Sequence, residues 1–257
     1  MMIPFRFIVV GVVCHFLLIF QGMGAVVEDF QEEEEPRGID NWEGVPAEGW
    51  STVWSMGKNG GVSITPEVLT ENPLGDNGAY LQVQIHNEDI EKGKAGALRR
   101  AYAEEGEIRY DGAHRIAFLF RLDSEWENVE RIAIFDAPKP ALAAHTTQGA
   151  ATWQIRSQAS TKNWCVWDQA KLIDTHISIV PGHIYQITLW IEPISGAGNY
   201  RVRIENLQSG ESYESGDLRF YSDKNVVGGY LTFSMINHPG QRALFSLDQI
   251  EISPLAP

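Results

Sequence analysis

The chain contains 257 residues, of which 44% are hydrophobic and 21% are charged, a composition typical of a folded globular protein. Acidic residues outnumber basic ones, 34 to 20, and the formal net charge is −14. An acidic surface repels the phosphates of nucleic acids, so nucleic acid is excluded as a partner. With two cysteines, the chain is not a disulfide-rich scaffold.

Residues 1–24 have the pattern of a secretory signal peptide. Arg6 supplies the positive charge, residues 7–20 form the apolar stretch, and the small residues Gly22, Gly24 and Ala25 follow. An apolar stretch of about 14 residues is shorter than the roughly 18 that cross a bilayer, so we predict a cleaved signal and no membrane span afterwards. We therefore expect a secreted or periplasmic protein whose residues 25–257 form one domain.

Apolar and polar residues alternate with a period of two along most of this domain, as in half-buried β-strands. In the run 79–86, Leu81, Val83 and Ile85 fall on one face of the predicted strand. The other predicted strands are 62–65, 96–102, 115–122, 129–136, 151–157, 163–168, 176–180, 184–192, 199–206, 229–236 and 243–252. Turn residues at 195–198, 208–210 and 239–240 are predicted to close hairpins. About a dozen short strands predict an all-β sandwich or jelly roll of two antiparallel sheets.

The two ends of the domain carry a recognisable pattern. It opens with Val27-Glu28-Asp29-Phe30, followed by Trp50, and closes with the sequence FSLDQIEI at 245–252. These ends resemble those of secreted jelly rolls of the concanavalin A-like lectin/glucanase superfamily and of similar carbohydrate-binding modules. The resemblance implies paired first and last strands and a concave face that often binds sugar. The superfamily also includes laminarinase-type hydrolases and alginate-lyase-type enzymes, so the fold alone does not determine the function.

Motifs for catalysis are incomplete. The segment 125–130 (EWENVE) differs from the Glu-x-Asp-x-x-Glu motif of laminarinase-type hydrolases and is interpreted as a solvated turn. Gln84-Ile85-His86 matches the Gln-Ile-His strand of alginate-lyase-type enzymes, which would make His86 the base and Arg156 a clamp for a substrate carboxylate. The Tyr-x-Lys-x-Gly-x-Tyr strand of those enzymes is missing. The net charge also disfavours a polyanionic substrate, unless arginines cluster locally.

Polar and aromatic side chains on the second face of several predicted strands are the candidate ligand contacts. Amides and arginine form paired hydrogen bonds with hydroxyls, and sugar rings stack on exposed tryptophan. The alternative interpretation is that this face simply meets water. The candidates, expected to line up on one face, are Gln82, Gln84, His86, Gln154, Arg156, Thr188 and Trp190, with Trp126 in an acidic loop as an exposed platform.

A zinc site is not expected, because the histidines lack ligand spacing and there is no cysteine cluster. The resemblance implies a structural calcium near the paired terminal strands. Asp29 and Asp248 are carboxylate residues of the type found at the liganding positions there. The opposite interpretation is that Asp248 faces solvent and that 32–35 form an exposed acidic loop. No cofactor is required for the predicted function.

We therefore predict a secreted, monomeric jelly-roll protein that binds a polysaccharide or other glycan without catalysing a reaction. A polysaccharide lyase or glycoside hydrolase of the same fold is the first alternative. A structural or adhesion protein, whose sandwich edge or loops contact another protein, is the second.

Overall fold

The computed structural model describes residues 26–28, 30, 42, 50–76, 78–102, 112–137, 151–192, 198–221 and 229–255. The predicted signal peptide, 1–24, lies outside these residues, and so does the predicted turn at 195–197. Among the described residues, no helix has the length and apolar character needed to span a bilayer.

Sixteen strands follow one another along the described residues. They are β1 (Val26–Glu28), β2 (Ser55–Lys58), β3 (Val62–Leu69), β4 (Tyr80–Asn87), β5 (Lys94–Ala101), β6 (His114–Leu122), β7 (Val129–Ala137), β8 (Gln154–Ser157), β9 (Asn163–Asp168), β10 (Lys171–Ser178), β11 (Ile184–Ile191), β12 (Asn199–Asn206), β13 (Ser212–Glu214), β14 (Leu218–Arg219), β15 (Tyr230–Asn237) and β16 (Arg242–Pro254).

The strands form two antiparallel sheets. A nine-stranded sheet has the order β13-β12-β11-β6-β16-β4-β3, with β1 beside β16 and β14 beside β12, and a seven-stranded sheet has the order β10-β9-β8-β7-β15-β5-β2. Every recorded strand pairing is antiparallel. Val26 pairs with Ile252, so the first and last strands are neighbours, as the resemblance implies. The predicted fold class, an all-β sandwich of two antiparallel sheets, is confirmed.

The core lies between the two sheets and follows the predicted alternation. Leu81, Val83 and Ile85 are completely buried and belong to the main apolar cluster. Aromatic side chains join the sheets, since the rings of Phe118 on β6 and Phe233 on β15 meet edge to face at 5.2 Å. Such pairs contribute about 0.5–1.5 kcal/mol beyond the area that they bury.

Two details of the predicted strands are wrong. The strand predicted at 176–180 is β10, which begins at Lys171; a register shift between Asp174 and Ser178 interrupts its alternation. The turn at Pro239-Gly240 does not close a hairpin within one sheet, because β15 and β16 belong to different sheets. By contrast, the turn at 208–210 joins β12 to its antiparallel partner β13, as predicted, and Gly210 has a φ of 74° that favours glycine there.

The two sheets approach each other closely at Gly96 on β5. A Cβ atom at this position would lie 2.9 Å from Cγ2 of Ile85 and 3.2 Å from Cδ1 of Ile64, both on the opposite sheet. These distances are shorter than a normal contact between carbon atoms, so any larger residue must displace core side chains.

We predict that Gly96→Ala lowers the free energy of unfolding by about 1–3 kcal/mol through overpacking, as measured by urea denaturation. Gly60→Ala is the matched control, because nothing lies within 4 Å of a Cβ atom built there. Equal stability of the two variants would contradict this account of the sheet packing.

Candidate functional site

The predicted ligand contacts do not share one face, which corrects the expectation from the sequence. Gln82, Gln84 and His86 lie on β4, and Thr188 and Trp190 lie on β11, all in the nine-stranded sheet. The other two strand candidates lie on β8 in the seven-stranded sheet. Since the alternate residues of each strand fill the core, the two groups project from opposite sides of the sandwich.

On the nine-stranded sheet, Gln82 belongs to an internal hydrogen-bond network. Its Nε2 donates to Oδ2 of Asp123 at 3.3 Å, and Asp123 also accepts hydrogen bonds from Arg121 and Ser246. Arg121 in turn lies over the ring of Tyr80, with 5.1 Å from its Cζ to the ring centre. This arrangement stabilises the sheet, and it engages one of the two N–H donors of the Gln82 amide.

Thr188 and Trp190 line a shallow depression of about 250 Å³ on the same sheet, together with Arg115, Gln186, Arg203 and Glu205. Its charged groups already have partners. Arg115 pairs with Glu251 at 3.0 Å, and Arg203 pairs with Glu205 at 2.7 Å. The guanidinium of Arg201 lies over the Trp190 ring at 5.6 Å. Thr188 and Trp190 therefore lie together, as predicted. The charged side chains around them, however, already form ion pairs with one another or with Glu251.

Trp126 is not the exposed platform that the sequence predicts. Its ring packs against the main core, and its Nε1 donates a hydrogen bond to the carbonyl oxygen of Ile179 at 2.8 Å. The ammonium of Lys162 lies 4.8 Å from the ring centre, on the face that a sugar would need. Glu125 and Glu127 on either side of it are exposed, but the indole connects its turn to Ile179, the residue that follows β10.

On the seven-stranded sheet, strand register brings a different set of residues together. Ile134, Ile155 and Val166 fill the core, so their alternating neighbours project outward. On this outer face Gln154 pairs with Phe135, and Arg156 lies between Ala133 and Cys165. The same register places Trp167 beside Gln154 on β9.

Gln154, Arg156, Trp167 and the adjoining Tyr221 are called the Gln154 cluster below. The guanidinium of Arg156 lies 5.0 Å from the Trp167 ring centre, and the Tyr221 ring meets Trp167 edge to face at 4.9 Å. The aromatic contacts hold the guanidinium in one orientation. Sequence analysis proposed the first two residues but missed Trp167 and Tyr221, whose proximity depends on pairing between distant strands.

Four buried polar atoms of this cluster have no hydrogen-bond partner among the described residues. Gln154 is 1% exposed, and neither its Oε1 nor its Nε2 has a partner among the described residues. The same holds for the buried Nε of Arg156 and the buried Nε1 of Trp167. Each buried polar group without a partner costs about 1–3 kcal/mol, and native proteins contain few of them. This cluster brings four such atoms together in three neighbouring side chains.

The surroundings of the cluster are apolar. Ala133, Phe135, Ala137 and Ala151 form a second buried cluster, separate from the main core, and Tyr221 packs against it. Burial, and then the like charge of Arg131, lower the pKa of Arg156. Burial raises the pKa of Cys165 to about 11, so this thiol stays protonated and is not a nucleophile at neutral pH.

The predicted pairing of His86 as base with Arg156 as carboxylate clamp in a lyase is wrong, because the two residues lie on different sheets. His86 is on the outer face of the nine-stranded sheet, where it pairs with Arg242 and Ser63. Arg156 is on the outer face of the other sheet, across a core of about 10 Å. One substrate cannot contact both side chains at a single reacting centre.

The predicted calcium site is not supported by the described residues. Asp29 lies outside them. Asp248 is fully buried, contrary to the solvent-facing alternative, and its Oδ1 accepts a hydrogen bond from the backbone N–H of Gln249 at 2.7 Å. Calcium takes six to eight oxygen ligands. In the described part of the chain, no group of three or more His, Cys, Asp or Glu residues is placed to hold a metal.

A buried polar triad at one end of the sandwich was not identified from the sequence. Tyr102 donates a hydrogen bond to Oδ2 of Asp136 at 2.9 Å, and its hydroxyl lies 3.2 Å from Nε2 of His114. Asp136 also accepts the N–H of Gly229 at 2.8 Å. All three side chains are at most 2% exposed and link β6 to β7, so the triad joins the sheets rather than facing a substrate.

No protein-family model and no curated protein matches the chain. Solved structures are similar to it in fold. A carbohydrate esterase of the Shiga toxin-encoding bacteriophage phi24B has 14% identity and a TM-score of 0.49, with 79% of this chain and 90% of that chain covered. Arcelin-5, a lectin-like defense protein of Phaseolus vulgaris, has 9% identity and a TM-score of 0.48, with 79% and 99% covered.

A seed lectin of Lotus tetragonolobus has 10% identity and a TM-score of 0.47, with 77% of this chain and 96% of that chain covered. Identities this low carry no information on what the present chain binds, so function depends on its own residues.

The triad makes stability depend on pH. Burial raises the pKa of Asp136 from 3.8 to about 7, so the folded state holds this proton where the unfolded chain has released it. The resulting stabilisation is complete below the unfolded pKa and is lost as the pH rises to about 7. We predict that the wild type loses about 2–3 kcal/mol through this group between about pH 5 and pH 7.5, and that Asp136→Asn abolishes that loss.

Urea unfolding at the two pH values measures this slope. Asp89→Asn is the control, because backbone hydrogen bonds from Glu91 and Lys92 lower the pKa of Asp89 and place its titration below the range tested. A slope unchanged in Asp136→Asn would show that Asp136 is not the group responsible.

Proposed function

We propose that the protein binds a carbohydrate through the Gln154 cluster, on the outer face of the seven-stranded sheet. The observation that carries this proposal is Gln154 itself, whose amide is 1% exposed and has neither a donor nor an acceptor partner among the described residues. A primary amide presents one acceptor and two donors, the pattern that pairs with two neighbouring sugar hydroxyls.

A comparison of the two outer faces supports this location. On the nine-stranded sheet, Arg115, Arg203 and Gln82 are already bonded to carboxylates. A ligand there must compete with those partners. In the Gln154 cluster, a ligand supplies hydrogen bonds that are otherwise missing, so it recovers the cost of burying polar groups without a partner. The gain from binding is therefore larger on the seven-stranded sheet.

Aromatic and cationic groups complete a surface suited to sugars. Tyr221 provides an aromatic ring for the apolar face of a pyranose, and Trp167 holds the guanidinium of Arg156, which supplies several donors in a fixed plane. Most ligand sites of this kind combine an apolar lining with a few placed polar groups. Tyr221 packs against the fully buried Phe135 and Ala151, so the cluster stands on an apolar base.

We propose binding without catalysis. Glycoside hydrolysis requires a pair of carboxylates across the bond. The carboxylate nearest Arg156 along the sheet is Asp174, and it accepts two hydrogen bonds from Nδ2 of Asn163 at 3.0 and 3.2 Å. The paired positions that follow in its row, Cys165, Arg156 and Ala133, carry no second carboxylate.

Export belongs to the same proposal. The signal-like segment 1–24 supports a secreted or periplasmic protein, where polysaccharides are encountered. Expression of the full chain in a secreting host, followed by N-terminal sequencing of the released protein, tests this point. A new N-terminus near residue 25 supports export, and retention of Met1 in the cytoplasm contradicts it.

We predict that Gln154→Leu weakens binding about tenfold or more, since it removes the hydrogen bonds to the sugar while keeping the side-chain volume. The same change should raise the free energy of unfolding by about 1–3 kcal/mol, because an unpartnered buried amide becomes apolar. Native electrophoresis through gels that contain neutral or acidic polysaccharides measures binding, and urea denaturation measures stability.

Gln84→Leu is the matched control on the opposite sheet and should leave binding unchanged. Loss of binding in Gln84→Leu or Trp190→Phe, with Gln154→Leu unaffected, would place the site on the nine-stranded sheet. No retardation across the panel would reject carbohydrate binding in favour of a structural or adhesion role. New reducing ends or unsaturated products would show that the protein is an enzyme.

A further inference from the structure

Two arginines lie next to each other on the outer face of the seven-stranded sheet. Arg156 on β8 pairs with Ala133 on β7, and Arg131 is two residues before Ala133 on the same face of β7. Diagonal neighbours of this kind have Cα atoms about 7–8 Å apart, within reach of two guanidinium groups. The proximity agrees with the effect of Arg131, which lowers the pKa of Arg156 after the larger effect of burial.

Neither guanidinium has an acidic partner in the described part of the chain, where no ion pair is recorded for Arg131 or Arg156. The nearest carboxylate in the row, Asp174, is held by Asn163 and by the backbone N–H of His176 at 2.8 Å. Two partly buried positive charges therefore face each other without compensation, which costs free energy in the absence of an anion.

Other arginines of the molecule show a contrasting pattern. Four arginines of the nine-stranded sheet each have a carboxylate within 4 Å, in the pairs Arg115–Glu251, Arg121–Asp123, Arg201–Asp217 and Arg203–Glu205. In a chain of net charge −14, acidic partners are plentiful. The lack of a described acidic partner beside the partly buried Arg131 and Arg156 is therefore not a consequence of the composition.

We propose that Arg131 and Arg156 bind an anionic group of the carbohydrate, a uronate carboxylate or a sulfate ester, beside Gln154. This inference rests on the proposed function and specifies the class of ligand. The two guanidinium planes offer several N–H donors to the oxygens of one anion, and the anion removes the repulsion between the arginines. Gln154, one row away on the same strand as Arg156, then contacts the hydroxyls of the same sugar unit.

Pairs of glycans that differ in charge alone test the proposal. Binding of the full chain to polygalacturonate is compared with binding to fully methyl-esterified polygalacturonate, and binding to dextran sulfate is compared with binding to dextran, by isothermal titration calorimetry at low salt. We expect at least tenfold tighter binding of a charged member over its neutral counterpart. The pair that shows the difference identifies carboxylate or sulfate as the group recognised.

Variants locate the effect on the two arginines. Arg156→Gln and Arg131→Gln should each weaken binding of the charged glycan about tenfold, and Arg156→Lys should lose less because it keeps the charge. Arg242→Gln is the matched control, since Arg242 is exposed on the opposite sheet and changes the net charge equally. Circular dichroism confirms that each variant is folded before binding is measured.

The outcomes separate this proposal from the one on which it depends. Equal affinity for charged and neutral glycans, with loss in Gln154→Leu, would overturn the anionic class and leave carbohydrate binding intact. Equal loss in Arg242→Gln would show that only overall charge matters and would also overturn it. Absence of binding to every glycan would reject both proposals.

Discussion

Each strand of a sandwich sends alternate side chains into the core and out to one of two outer faces, and sheet membership alone decides which face. Here β4 and β11 belong to the nine-stranded sheet, whereas β8 and β9 belong to the seven-stranded sheet. Between them stands a core of interlocking aromatic rings, such as those of Phe120 and Trp164 at 5.4 Å. The molecule therefore has two chemically independent surfaces, and a ligand bound to one of them does not contact the side chains of the other.

The two surfaces differ in how completely their polar groups are satisfied. On the nine-stranded sheet, Arg203 pairs with Glu205 on the same strand, and Asp123 accepts hydrogen bonds from Gln82, Arg121 and Ser246. On the seven-stranded sheet, Gln154 and Arg156 have buried polar atoms that no described residue partners. A ligand that supplies those hydrogen bonds would recover the cost of burying the atoms.

Local pattern is sufficient to predict the strands and their inward residues. The alternation in 79–86 assigns Leu81, Val83 and Ile85 to the core, because the period of a strand is fixed at two. It does not assign a strand to a sheet, since pairing depends on contacts between distant segments. The indole N–H of Trp126 bonds to a carbonyl 53 residues away, and no local signal distinguishes this buried contact from an exposed ring.

The excess of acidic residues and the pair of arginines at 131 and 156 act over different distances. At physiological ionic strength the field of a surface charge decays over about 8 Å, so the net charge of −14 affects a polyanion only weakly until it is close. At contact, partly buried guanidinium groups are screened much less and dominate the local field. An acidic protein can therefore hold an anionic group at one site while the rest of its surface repels it. Such a site selects by contact geometry rather than by long-range attraction, because the guanidinium of Arg156 is held in place by Trp167 before any ligand arrives.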